Sequence, residues 1–134
     1  MRSWPASVLG FALIVAPLSA IAQQKPASSA PKYNPATETA LKGTVEQVSN
    51  HECPVIKSMG AHVILKTEDG KTIEVHLAPA KFVKIYDLVF AKGDQITVTG
   101  SKVQIDGVDT ILAREVKRGN DMFTFRDDKG KPVW

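Results

Sequence analysis

The chain has 134 residues, 17 basic and 14 acidic side chains, and a formal charge of only +3. Near-balance without a basic stripe argues against nucleic acid as a partner. The single cysteine excludes an internal disulfide, so the fold must rest on its apolar core, and Cys53 is left free, bound to another molecule, or available as a ligand.

Met1 to Ala22 reads as a signal peptide. Arg2 supplies the positive end, Val8 to Leu18 the apolar run, and Ala20-Ile21-Ala22 the small residues of a cleavage site. The run is too short for a comfortable membrane span and is broken by Pro17. Cleavage after Ala22 predicts a periplasmic or secreted mature chain without a transmembrane span. Gln23 to Thr37 is Pro-, Ala- and Ser-rich and reads as a flexible linker. Residues 38–134 remain for one domain, enough for a single core and not for two.

The first strand is expected over Ala40 to Val48, with Leu41, Val45 and Val48 facing inward. The three-residue step from Val45 to Val48 and the nearby Gly43 suggest a bulge. Ser49 to Gly60 then reads as a loop carrying His51-Glu52-Cys53-Pro54. Val63 and Leu65 alternate with His62, Ile64 and Lys66; Ile73, Val75 and Leu77 alternate with Thr72, Glu74 and His76. This period of two on both sides of Glu68-Asp69-Gly70 predicts a hairpin with a three-residue loop, Gly70 taking the left-handed position. That register pairs Thr67 with Lys71, Leu65 with Ile73, Val63 with Val75 and His62 with His76, the two histidines on the open face.

Pro79 opens a helix expected from Ala80 to about Phe90, with Phe82, Ile85 and Val89 capping the core and Lys92-Gly93 as its stop. Further strands are expected at Gln95 to Thr99, continuing toward Ile105, at Asp109 to Val116 after an Asp106-Gly107 turn, and at Met122 to Arg126. The predicted core is Val63, Leu65, Ile73, Val75, Ile96, Val98, Phe123 and Phe125. Three meandering strands, a short helix, then a hairpin and a last strand is the order of a mainly β, OB-like barrel of five to six strands, with the helix between the third and fourth.

Opposed Cβ atoms in a strand pair lie about 4.5–5.5 Å apart, a distance at which His62 and His76 could share a transition metal ion. Two histidines do not complete a zinc site; His51 or Cys53, on the segment entering the hairpin, could supply the remainder. The competing account makes the two histidines ordinary sheet residues and Cys53 a small buried one. Phe82, Tyr86, Phe90, Phe123, Phe125 and Trp134 could include a stacking platform for bases or sugars, although most of them are needed for the core. Lys81, Lys84, Lys117, Arg118 and Arg126 read as solvated charges. No Ser/His/Asp order, phosphate-cradling loop or zinc-protease helix is visible, so no enzyme is expected.

The pieces GTVEQV (Gly43 to Val48), GAHVILKTEDG (Gly60 to Gly70), EVHLAPAKF (Glu74 to Phe82), KGDQITVTGSKV (Lys92 to Val103), ILAREVKRG (Ile111 to Gly119) and FRDDKGKPVW (Phe125 to Trp134) resemble small secreted bacterial OB-like proteins. They are similar to the domain of the magnetosome-associated MamS and MamX proteins. The resemblance implies the fold and, more loosely, a place in a metal or electron-transfer pathway. The Cys-x-x-Cys-His motif that some relatives carry is absent here, so covalent haem is not carried over. The expected function is an exported, non-enzymatic binding or accessory module that contacts another envelope protein. The alternative is an OB-like protein that binds an oligomeric ligand, nucleic acid or oligosaccharide.

Overall fold

A computed structural model describes residue 3 and residues 30–134. Apart from Ser3, the expected signal peptide lies outside the described residues, as does the first half of the expected linker. A 3-10 turn (Pro35–Thr37) leads into β1 (Glu38–Cys53), β2 (Ser58–Thr67) and β3 (Thr72–Pro79), then α1 (Ala80–Ile85), β4 (Gln95–Ile105), β5 (Val108–Arg118) and β6 (Asp121–Thr124). The sheet order is β3-β2-β1-β4-β5-β6, and a parallel β3–β5 pairing closes the first five strands into a ring. The fold is therefore mainly β, with one short helix between β3 and β4, as the OB-like order requires.

Alternation explains the core. Val63, Leu65, Val75, Ile96, Val98, Ile111, Val116 and Phe125 are buried together, with Ile73 and Phe123 packed partly buried against them. The β2–β3 register pairs Leu65 with Ile73, Val63 with Val75 and His62 with His76. In the hairpin loop Thr67 N–H donates to Lys71 O at 2.8 Å and Gly70 N–H to Thr67 O at 3.0 Å. The irregularity expected in β1 falls between Val45 and Gln47. Val45 lies in the core, but the bulge leaves Val48 43% exposed, so Val48 is not the inward residue expected of it.

The helix is shorter than expected. Leu88 N–H donates to Val83 O and Asp87 N–H to Lys84 O, with Asp87 left-handed at φ 50°. This is a Schellman closure, and Asp fills the position where glycine would have marked the stop. Only Phe82 of the expected cap packs on the core; Ile85 and Val89 are exposed.

Two further boundaries shift. β1 does not end at Val48 but continues to Cys53, with His51 opposite Gly60 and Cys53 opposite Ser58, so the expected loop shrinks to Pro54–Lys57. At the other end, the stretch expected to be linker up to Thr37 is docked. Asn34 N–H donates to Ser101 Oγ at 3.0 Å, and the Tyr33 hydroxyl donates to Glu38. Tyr33 sits where any Cβ on Gly130 would fall, 2.2 Å from its Cδ1. Gly130 is thus required both for its positive φ of 83° and for this close approach.

Candidate metal centre

The extension of β1 is what assembles the site. His51 and Cys53, two apart on one strand, share a face, and the adjoining β2–β3 pair brings up His62 and His76. The chain has three histidines and one cysteine, and all four converge. Cys53 Sγ lies 3.2 Å from His76 Nδ1, and His62 Nδ1 lies 2.5 Å from His51 Nε2. The His62 ring sits between the others, its centroid 3.8 Å from that of His51 and 4.0 Å from that of His76.

Glu74, which the sequence reading passed over, links the group. Its Oε1 is 3.0 Å from His76 Nε2 and 3.0 Å from His51 Nε2. Strand alternation puts Glu74 on the same face as His76 and opposite Ile64, and that was the signal available for finding it. A carboxylate accepting from His76 Nε2–H fixes the tautomer and turns the Nδ1 lone pair toward Cys53, the arrangement that orients metal-bound histidines. His62 Nε2 is buried without a hydrogen-bond partner among the described residues.

Gly60 packs against both Cys53 and His62. A Cβ there would fall 2.8 Å from Cys53 Cβ and 2.8 Å from His62 Nε2, so only glycine leaves the two side chains facing one space. The cavity they line holds about 10 Å³, room for one small occupant.

The face carrying His62 and His76 is not open. The two residues pair and point away from the core as expected, yet they are 1% and 9% exposed. The Pro54–Lys57 turn brings Val55 and Ile56 across them, and the chain end brings Arg126 and Trp134. The tail holds its place through Val133 N–H donating to Phe125 O and Asp127 N–H to Lys131 O. Arg126, read from sequence as solvated, is buried. His51 stays exposed, its side chain at 48%.

Burial pushes the His62 imidazole down to about 3, assisted by the neighbouring His76 and His51 charges. Burial also lowers His76, against the opposing pull of Glu74. Both rings are thus neutral at neutral pH, the form that can ligate a metal. Cys53, His62 and His76 offer donor atoms within 4.8 Å of one another, as do His51, His62 and Glu74. Tetrahedral zinc, with bonds of about 2.0–2.3 Å, needs donors roughly 3.3–3.8 Å apart. The Sγ–Nδ1 pair, at 3.2 Å, is a little closer than that spacing.

Together the ring of strands and this buried thiol–imidazole cluster define a small, mainly β, OB-like protein with its cysteine and two of its histidines gathered in one buried space. Residues 37–123 match the MamS/MamX magnetosome protein family, and the chain belongs to it, a family of magnetosome-associated accessory proteins. No curated protein matches the chain significantly.

Proposed function

We propose that the chain is an exported, non-enzymatic accessory module of the cell envelope that holds one transition metal ion at Cys53, His62 and His76, for exchange with a protein partner. The observation that carries this reading is the convergence of Cys53, His62 and His76 on one buried space, with His51 and Glu74 joined to His62 at its rim and His62 Nε2 buried without a partner among the described residues. One thiolate and two imidazoles suit Zn or Cu and do not suit Ca or Mg. His51 and Glu74 hold the inner histidines in orientation, and because His51 is exposed, it offers an entry point at the rim. A protein partner is supported by exposed Val48 and Val89, apolar side chains that border one groove with Leu88 and Phe90. Among the described residues no helix is long and apolar enough to cross a membrane.

Equilibrium dialysis of the chelator-stripped protein against Zn(II), with elemental analysis, is expected to give one ion per chain. His62→Ala and His76→Ala should each abolish uptake, Cys53→Ser should weaken it strongly, and Glu74→Gln should weaken it about 10–100-fold. Absence of uptake, or uptake indifferent to His62 and His76, would falsify the reading.

A further inference from the structure

A second site lies against the first. Arg126 is 7% exposed, and Arg114 and Arg118, unlike it, both reach carboxylates. Its Nη1 donates to Gly130 O at 2.9 Å; its Nε is buried and has no partner among the described residues. The guanidinium carbon lies 5.4 Å from the Tyr33 ring centroid and 5.0 Å from that of Trp134. Aromatic contact compensates a desolvated cation only in part, Tyr33 and Cys53 offset it further, and no carboxylate pairs with it among the described residues, an arrangement that is costly for a buried charge. Burial accordingly holds its pKa below the usual arginine range. The segment preceding Glu38 contains no Asp or Glu at all, so it has no carboxylate to offer.

Arg126 borders a cleft of about 830 Å³ whose other walls include Tyr33, Trp134, Pro54 and Ile56, with Lys32 and Lys57 as its further cations. Lys57 is held there by the tight turn after β1, left-handed at φ 53°, its N–H donating to Cys53 O at 2.8 Å. The volume is that of a small-molecule site, far beyond what an inorganic ion fills.

We infer that this cleft binds a small organic oligocarboxylate, one carboxylate on the guanidinium edge of Arg126 and a further one on Lys57 and Lys32. A planar guanidinium matches a carboxylate with two parallel donors. The apolar and aromatic walls favour an anion with a carbon skeleton over compact, strongly hydrated phosphate. Because Arg126 also lines the cavity of Cys53 and His62, the anion lies next to the metal donors, but its binding does not depend on the metal.

Calorimetric titration of the chelator-stripped protein with citrate tests the inference separately from metal uptake. Saturable binding is expected, tighter than for acetate or inorganic phosphate. Arg126→Gln should weaken it about tenfold or more. Lys57→Gln and Lys32→Gln alter exposed side chains that the fold does not need; together they should weaken citrate several-fold and leave acetate unchanged. No saturable citrate binding would overturn the inference, as would phosphate or acetate binding as tightly as citrate. Citrate affinity unaltered in the Lys32/Lys57 double variant would overturn it even if Arg126→Gln failed to fold.

Discussion

Gly60→Ala adds one methyl group between Cys53 and His62 and leaves every donor atom in the chain. The new Cβ would sit 2.8 Å from Cys53 Cβ and 2.8 Å from His62 Nε2, where ordinary contact begins at 3.4 Å. Each neighbour must therefore retreat by about 0.6 Å, several times the tolerance of about 0.2 Å on metal–ligand distances. Neither has far to go, because Cys53 is fixed by pairing at the end of β1 and His62 is wedged between two other rings. The expected outcome is a loss of Zn(II) affinity of roughly 10–100-fold, measured by competition with a chromophoric chelator. Overpacking should also cost about 1–3 kcal/mol, measured by urea unfolding of the metal-free protein. Wild-type zinc affinity in this variant would refute the placement of the ion between Cys53 and His62, whatever the stability result.

Two further predictions concern the metal-free fold. Val75→Ala removes two methyl groups from a fully buried site beside Val63 and should cost on the order of 2–4 kcal/mol through lost transfer energy and residual cavity; an unchanged urea midpoint would mean that Val75 does not face the core. For pH, His62 is held at about 3 in the fold against about 6.5 when unfolded, so between those values the unfolded state binds the proton and the native state does not. Stability should therefore be full above pH 6.5 and decline as pH falls toward 3, approaching about 1.4 kcal/mol per pH unit for one such group. Flat stability across pH 7.5 to 5 in urea denaturation would show that the buried rings protonate without penalty.

The hairpin and the pairing of His62 with His76 were legible because period-two alternation and a Gly-ended loop leave one register that keeps apolar residues opposite each other. What alternation cannot report is what lies on top of a face. The covering of the two histidines depends on Val55, Ile56, Arg126 and Trp134, contributed by a turn and a chain end with no periodicity of their own. The loop expected after Val48 proved to be strand because Ser49 to Glu52 are polar and read as turn residues, while the pairing of His51 with Gly60 and Cys53 with Ser58 is made by backbone. Arg126 was misjudged for the opposite reason: a cation between polar neighbours gives no local sign that two aromatic rings, Tyr33 and Trp134, will enclose it.

The parallel seam that closes the ring spans only three rungs, Glu74 with Thr110, Val75 with Ile111 and His76 with Leu112. Two of those three rungs belong to residues of the cluster. Every other strand pairing is antiparallel and, apart from β1 with β4, joins neighbours in sequence. Such hairpins close small loops, whereas the seam must enclose the helix and all of β4, at a larger entropic cost. On that argument closure of the ring comes late, after the β1–β2–β3 hairpins that carry the cluster have formed. An ion held there would cross-link β1, β2 and β3, and the seam to β5 would remain the part of the ring joined by the fewest rungs.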